Sequence, residues 1–486
     1  MPCWRALKYR VGKKISPSQV KIELYYRINS ITTKGGIIIP NTDFTTLMLN
    51  IQESDIESSF NAVSGDELHI YITLRRKPYD CTFCGGKMIG YGHKMRKINH
   101  PALRQYNGTI HYNANRYRCK ECGRTRLEDN PFSYRGFNSS FLLQKEVMDK
   151  ICNLNNSMKA ISEEFNISAT QLNNYLDSYV TIPRRPLPEW LGIDELHSDN
   201  LSRKHASYIC ILTDCEKRDL YDVLDSRSKR SLSFAFSLYS KEERLNVKYV
   251  TIDMWEPYRD VAKAYFPSCV IAVDPFHVVR HLTDDLDRLR LNLMNHCIYQ
   301  SNAYYLLKKW GWLLTAANVN LDNPPEFNNR FKMKLNRRDL RRMLFDTFPE
   351  LELAYTLKDR YCKMNREYSY EEAVLEYDEI LDAFKLSNIR EYDEFIGIMV
   401  HWKEEILNSF KRPYGDRKLS NAFTENMNGK IRDYISISKG ICNFTRFRKR
   451  VLLSQSYQVK YALTANLKYE ARGSGKRRGA YNKATE

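Results

Sequence analysis

From Glu67 to Arg76 apolar and polar side chains alternate, with Leu68, Ile70, Ile72 and Leu74 on one face, which is the two-residue period of a strand. Between about Phe141 and Val180 the spacing becomes helical. Met158, Ile161 and Phe165 share one face there. After Asn166-Ile167, the run Ser168-Ala-Thr-Gln171 has the form of a capping box opening a second helix, whose inner face is Leu172, Tyr175 and Leu176. The proline-rich stretch Pro183 to Pro188 marks a domain boundary. Beyond it, apolar runs at 190–194, 206–213 and 219–224 read as strands, followed by a helical stretch, then Val247–Ile252 and Cys269–Val273, each with a helical segment behind it. Strands first, then strand and helix in alternation, predict an α/β sheet. Residues 280 to about 410 are rich in Leu, Tyr, Arg, Lys and Glu and poor in glycine, which predicts a long helical insertion.

These changes of pattern divide the chain into an N-terminal region at 1–66 without readable chemistry, a small module at 67–135, a helical pair at 140–182, a main domain at 190–460 with its insertion at about 285–410, and a basic tail at 461–486. The tail from Gly473 to Glu486 is expected to be disordered. At 486 residues the chain exceeds the length at which one core stops growing, so about two to four domains are expected.

Charge narrows the partners. Lys and Arg number 76 against 58 Asp and Glu, a formal net charge of +18, which favours a polyanion through phosphate neutralisation. A membrane surface would suit the same charge. Against it, no run of about eighteen apolar residues occurs, and Met1-Pro2-Cys3-Trp4-Arg5 lacks the apolar centre of a secretory signal. A soluble, cytoplasmic protein with no membrane partner is therefore expected. Of the twelve cysteines, four are clustered. Cys81-Thr-Phe-Cys84 and Cys119-Lys-Glu-Cys122 each put two thiolates on a short turn, with Gly85 and Gly123 directly behind to let the backbone bend, and four sulfurs close a structural zinc site. Tyr112, Asn113, Tyr117 and Arg118 read as hairpin strands that bring the pairs together. His93, His100 and His111 lie between the pairs, but four cysteines already satisfy zinc.

The helical pair reads as a helix-turn-helix. Its second helix exposes Thr170, Gln171, Asn173 and Asn174, residue types that can read base edges in a major groove. The bland alternative is any small helical hairpin. In the main domain, Gly192-Ile193-Asp194-Glu195 puts an acid, Asp194, at the end of an apolar run, and Tyr249-Val-Thr-Ile252-Asp253 does the same with Asp253 at the end of a second. Glu425 lies on a helical stretch whose apolar face is Leu419, Phe423, Met427 and Ile431 and whose polar face is Asn421, Glu425, Asn428 and Arg432. That polar face is expected to look towards the strand ends. Phosphodiester cleavage needs such carboxylates, because two Mg²⁺ ions roughly 4 Å apart activate the attacking oxygen and stabilise the leaving one.

Taken together, the four-cysteine module, the helix-turn-helix, Gly192-Ile-Asp-Glu195, Asp253-Met-Trp-Glu-Pro-Tyr258, Val273-Asp-Pro-Phe-His-Val-Val279 and Ser420-Asn-Ala-Phe-Thr-Glu-Asn-Met-Asn428 resemble bacterial insertion-sequence transposases of the ISL-three type, over roughly residues 45 to 460. The resemblance implies an RNase H-like catalytic core of the DDE superfamily, with Asp194, Asp253 and Glu425 as catalytic acids binding two Mg²⁺ or Mn²⁺. It makes Asp274 and His277 supporting residues, as the family's Asp-x-x-His element. It also implies terminal inverted repeats and target DNA as double-stranded DNA partners, a homo-oligomer in a synaptic complex, and a place on the bacterial nucleoid. One departure is Asn426, where the family usually has glycine.

Between Lys411 and Arg450, eleven Lys or Arg are interleaved with Tyr414, Phe423, Tyr434, Phe444 and Phe447, which suits a phosphate-tracking surface that includes Lys430, Arg432, Arg446, Arg448, Lys449 and Arg450. Trp310, Trp312 and Trp402 in the insertion are expected to be buried, with stacking on a flipped base as the other use open to them. Two rival functions remain. His277-Val-Val-Arg280 matches the His-x-x-Arg of tyrosine recombinases, with Tyr299, Tyr304 and Tyr305 as nucleophiles, although about 180 residues follow them. A DNA-binding regulator on an inert scaffold is the other.

Overall fold

The structure, a computed structural model, describes residues 49, 51–65, 67–101, 103, 108–133, 137–197, 207–438 and 443–463. The tail expected to be disordered lies outside them. The described residues divide into two compact units, one of those up to 152 with 158–179 and 461–463, and the other of those in 153–157 and 180–460.

In the first unit, β1 (Ile56–Ser64), β2 (Glu67–Leu74), β3 (Met88–Ile98) and β4 (Thr109–Cys119) form a sheet in the order β1-β2-β4-β3, and β5 (Thr125–Leu127) pairs with β4. The alternation read at Glu67–Arg76 is β2, whose Ile70 and Ile72 pair in parallel with Ile110 and Tyr112 of β4 and are buried with them. Tyr112 is held there by a buried acid: its hydroxyl donates to Glu128 Oε1 at 2.6 Å, and Asn115 N donates to the same oxygen at 2.7 Å. The sheet starts earlier than residue 67. β1 was not legible because, among its described side chains, only Ile56 is buried, so no apolar stripe marks it.

Three helices follow: α1 (Phe141–Ile151), α2 (Met158–Phe165) and α3 (Ala169–Tyr179). Ile161, Phe165, Leu172, Tyr175 and Leu176 are buried, as their spacing requires. Asn166 takes a left-handed conformation with φ 50° to turn the chain between α2 and α3. Half of the expected capping box forms. Ser168 Oγ accepts from Gln171 N at 3.2 Å, while the Gln171 side chain lies beside Tyr175.

The second unit is built on β6 (Trp190–His197), β7 (Tyr208–Asp214), β8 (Asp219–Leu224), β9 (Tyr249–Ile252) and β10 (Val270–Val273), in the order β10-β9-β6-β7-β8. Each of the five apolar runs expected to be strands falls on one of these. β6, β7 and β8 are antiparallel neighbours, while β9 runs parallel to β6 and β10 parallel to β9. β6, at the centre, is buried on both faces over most of its length, hence its near-continuous apolar run.

Helices α4 (Lys229–Ser237) and α5 (Lys241–Leu245) precede β9, α6 (Glu256–Tyr265) follows it, and α7 (Pro275–His296) follows β10. The insertion is helical as expected: α8 (Asn302–Trp310), α9 (Trp312–Thr315), α10 (Arg337–Thr347), α11 (Pro349–Glu367), α12 (Tyr370–Leu386), α13 (Asp393–His401) and α14 (Lys403–Asn408). It also carries a short hairpin of β11 (Glu326–Asn328) and β12 (Met333–Leu335) that the pattern did not announce. One apolar cluster runs from Leu191 and Ile193 through Leu282 and Leu344 to Phe410, so the insertion shares the sheet's core. α15 (Ala422–Ser438) and α16 (Phe444–Gln455) return the chain to the sheet, and α16 packs against β8 while α14 packs against β10. Both sheet edges are thereby covered.

The proline stretch at the boundary is anchored by Arg185. Its buried guanidinium donates to Asp219 Oδ2 and Ser456 Oγ, each at 3.0 Å, and to the carbonyls of Leu220 and Tyr221, so β8 and the chain after α16 are tied to the same cation. Arg185→Ala is expected to lower unfolding free energy by about 3–5 kcal/mol, because it leaves Asp219 buried without its counter-charge. Urea denaturation of the variant against wild type measures this; a loss under about 1 kcal/mol would mean that the pair is not the anchor.

Candidate active site

The register of the parallel strands puts the first acids in one row. Gly192 pairs with Thr251, and Thr251 with Ala272. Two residues further along each strand, on the same face, come Asp194, Asp253 and Asp274. Asp194 is within β6, Asp253 directly follows β9, and Asp274 directly follows β10, where it caps α7 by accepting from Phe276 N at 3.4 Å with Pro275 behind it.

Across this row lies α15, which, with Asn421 directly before it, presents its polar side to β6. Asn421 Nδ2 donates to the Ile193 carbonyl at 2.9 Å, Thr424 Oγ1 meets Thr213 Oγ1 at 2.6 Å, and Asn428 Nδ2 donates to Asp194 Oδ2 at 2.9 Å and to the Glu195 carbonyl at 3.2 Å. Glu425 therefore arrives beside the strand ends, as the helical spacing indicated. Asn426 continues the helix on its exposed side. The close approach depends on Gly192: a Cβ there would lie 2.4 Å from Thr213 Oγ1 and 2.6 Å from both Cys215 Sγ and Thr424 Oγ1. Gly192→Ala is expected to destabilise the unit by about 1–3 kcal/mol by overpacking this seam. Urea unfolding would show it, and an unchanged midpoint would mean that the seam yields freely.

The acids fall into two groups. Ligand atoms of Asp194, Glu195 and Asp253 lie within 4.8 Å of one another, and so do those of Asp274, His277 and Glu425. The expected trio of Asp194, Asp253 and Glu425 is thus split in the structure, with Glu425 Oε1 at 3.2 Å from His277 Nε2. Burial pushes the Asp194 carboxyl up to about 8, with the charges of Asp253 and Glu195 adding to it. Asp253 is pushed up to about 7 by burial and by Glu195, and Asp274 to about 6 by burial and by Glu425. The bond to Glu425 raises His277 above its ordinary value. The nearby positive charge does not offset the burial of the three aspartates. Glu195 Oε2, Asp274 Oδ2 and Asn428 Oδ1 are buried without a well-formed hydrogen bond, although the Tyr258 hydroxyl lies near Glu195 and the Asn421 N–H near Asp274. Crowded carboxylates with spare acceptor oxygens fit divalent cations, which favour hard oxygen ligands.

Residue reading missed Arg227. Its Nη1 donates to Glu195 Oε1 at 2.6 Å, and its guanidinium lies 3.7 Å from the ring centre of Tyr208 and 4.4 Å from that of Trp255. Nothing local in the sequence signals this partnership. Glu195 itself was quoted only as part of a motif, and a residue adjacent to Asp194 on a strand is expected to face the other way.

In the first unit the cysteine pairs meet as expected. Cys81 and Cys122 sulfurs are 3.6 Å apart, Cys84 and Cys119 sulfurs 3.4 Å, and all four lie within 4.8 Å. Tetrahedral zinc with bonds of about 2.3 Å sets its sulfurs about 3.8 Å apart, so the cage fits. Gly85 and Gly123 have φ of 73° and 71°, and their N–H groups close the turns on the carbonyls of Cys81 and Cys119. The N–H groups of Cys84 and Phe83 hold the Cys81 thiol down to about 6. His93 bonds Arg76 and Asn113 instead, and His111 stacks on Tyr71. Burial pushes His100 down to about 4.

Among the residues expected to meet DNA, Thr170 and Asn174 are exposed on α3, and Gln171 and Asn173 are half-buried. Lys430 and Arg432 are exposed on α15, and Arg446, Arg448 and Lys449 are half-buried. Arg448 pairs with Asp222 at 2.6 Å. Arg450 is not on the surface. It is 1 % exposed and donates to Tyr434 Oη and to the carbonyls of Asn153 and Asn156. Trp402 is buried against Arg259 and Trp310 is half-buried, but Trp312 is 42 % exposed with the Arg337 guanidinium 5.4 Å from its ring centre. Of the recombinase residues, Arg280 pairs with Asp284 and Tyr305 donates to Asn328. Among the described residues no helix is long and apolar enough to cross a membrane.

A curated relative, the transposase for insertion sequence element IS1001 of Bordetella parapertussis, is 23% identical over 267 residues, which is 53% of this chain and 64% of the relative's length. A family model described as a transposase, the ISL3 type of the DDE class, matches residues 191–451. That span opens inside β6, takes in the whole row of aspartates, the insertion and α15, and closes in α16; the chain belongs to the ISL3 family of DDE transposases.

Proposed function

We propose that this chain moves its own insertion sequence: it binds the element's terminal inverted repeats, cuts the DNA there and joins the freed ends to target DNA. The observation that carries this is the row Asp194, Asp253 and Asp274 on three neighbouring strands, with Glu425 brought over it by α15. The sheet order, an antiparallel meander of three strands extended by two parallel ones, supports an RNase H-like core. The packing of α1, α2 and α3 supports a helix-turn-helix, and the four sulfurs support structural zinc. These two elements and the basic face of α15 are assigned to gripping double-stranded DNA.

Two Mg²⁺ or Mn²⁺ ions held by Asp194, Asp253 and Glu425 would supply the charge that activates an attacking hydroxyl and stabilises the leaving oxygen of the scissile phosphate. The chain's own part is orientation. Asn428 fixes one oxygen of Asp194 and the N–H of Glu195 fixes the other at 2.8 Å, while Arg227 keeps Glu195 turned into the cluster. Water first frees a 3′-hydroxyl, which then attacks target DNA in line, so no tyrosine becomes attached to DNA. Pairing two ends calls for a homo-oligomer in a synaptic complex, working on the nucleoid in the cytoplasm.

Incubating the element's end DNA with the protein in Mg²⁺ and in EDTA tests this. Cleavage in Mg²⁺ that EDTA stops, without protein left on the DNA, is the expected result. Cleavage in EDTA with protein attached would favour the tyrosine mechanism, and binding with no cleavage in Mg²⁺ or Mn²⁺ would favour a regulator.

A further inference from the structure

We propose that Asp274, His277 and Glu425 form a cation position of their own, separate from that of Asp194, Glu195 and Asp253, and that its mixed nitrogen and oxygen donors make it prefer Mn²⁺ to Mg²⁺. The inference rests on the carboxylate-site reading and deepens it, by turning two supporting residues into ligands.

Three observations carry it. First, Asp274 has the same standing in the sheet as the two aspartates proposed as catalytic: it completes their row directly after the next parallel strand, at the same register. Second, Asp274 is 2 % exposed and its Oδ2 has no well-formed hydrogen bond, with only the Asn421 N–H close to the carboxyl besides Phe276 N on Oδ1, inside a cluster whose other members are an imidazole and a carboxylate. A buried carboxylate oxygen without a donor is costly unless something positive meets it. Third, His277 Nε2 and Glu425 Oε1 are 3.2 Å apart. Adjacent corners of an octahedron with metal bonds of about 2.1 Å are about 3 Å apart, so the pair already has the separation of two neighbouring ligands. His277 reaches the cluster from the first turn of α7, one turn beyond the residue that caps that helix, so backbone and cap fix both ligands together.

Chemistry then sets the ion. Mg²⁺ holds its waters tightly and takes oxygen ligands, whereas imidazole nitrogen suits first-row transition ions, of which Mn²⁺ also accepts carboxylates. The Asp194 group offers oxygens alone and should accept either ion.

The test uses untagged, zinc-loaded full-length protein titrated with Mn²⁺, with binding counted by electron paramagnetic resonance and the ligands identified by electron spin echo modulation. Two bound Mn²⁺ per chain are expected, one with directly coordinated imidazole ¹⁴N. His277→Gln should erase the nitrogen signal and weaken that position roughly tenfold or more, leaving the other intact. Asp253→Asn should weaken the other and keep the nitrogen signal. Excess Mg²⁺ should displace Mn²⁺ from the Asp194 group before the His277 group. Bound Mn²⁺ without a nitrogen signal in wild type overturns the proposal whether or not any variant folds, and leaves the carboxylate-site reading standing. No bound Mn²⁺ at all overturns both.

Discussion

Asp253→Asn is expected to cut cleavage of end DNA by on the order of 10³-fold while binding to the same DNA is unchanged. A metal-held transition state gains several kcal/mol from its ligands' charge, and about 1.4 kcal/mol is a tenfold change in rate. Asparagine keeps the shape and can still accept from Trp255 N, as Asp253 Oδ1 does at 3.2 Å, but it brings no charge. The fold should gain from the change. Burial and Glu195 push Asp253 up to about 7, above the roughly 3.9 of an unfolded aspartate, so the folded state holds a proton that the unfolded state releases. The stability this group contributes is fully present below about pH 4 and is lost as pH rises through about 7. In EDTA at pH 8 the asparagine variant should therefore melt higher than wild type, and the difference should shrink towards pH 4. A variant that lost cleavage and also melted lower would point to misfolding in place of missing charge.

Asp194 and Asp253 were legible because each follows a short apolar run, although β6 continues past Asp194 to His197 and only Asp253 stands at a strand end; the sheet's register then made neighbours of them. Glu425 was legible from helical spacing, and the direction of its helix from the polar row that includes Asn421 and Asn428. The cysteine pairs announced themselves by spacing and by the glycine behind each. What the sequence withheld is pairing between distant residues. Arg227 and Glu195, or Arg185 with Asp219 and Ser456, carry no local sign of each other. Arg450 looked like its basic neighbours because composition does not report burial, and Asp274 looked secondary because its equality with Asp194 and Asp253 exists only in the register. The grouping of Glu425 with Asp274 and His277 likewise needs three elements to be packed before it can be seen.

Removing the zinc that the proposed function places on the four cysteines should have the other large effect. Cys81→Ser, or prolonged treatment with a strong chelator, is expected to unfold the β3–β4 end of that sheet and abolish specific binding of end DNA. Structural zinc in small modules contributes roughly 10–16 kcal/mol of apparent binding free energy, more than the whole stability of most domains. Without the ion, two thiols already depressed by backbone N–H groups would repel at short range, and β5 would have three residues to hold the second knuckle against β4. The second unit has its own core, so its melting transition should persist. Hydrogen exchange resolved by peptide checks this: protection lost at 81–127 and kept at 190–273 is the expected outcome, and unchanged protection at 81–127 would show that the cysteines are not a structural metal cage.

The order in which the chain leaves the ribosome follows from where α15 sits. β6 to β10, with Asp194, Asp253 and Asp274, are synthesised first; the helix that brings Glu425 and the Asn428 bond to Asp194 emerges only after the whole insertion. A copy with a premature stop anywhere in the insertion would keep the four-cysteine module and the three helices, and would lack the last acid and the seam at Gly192 that seats it. On the proposed function, such a fragment occupies the ends that its intact sibling needs and cannot cut them, so truncation converts a mobile element's enzyme into its own brake.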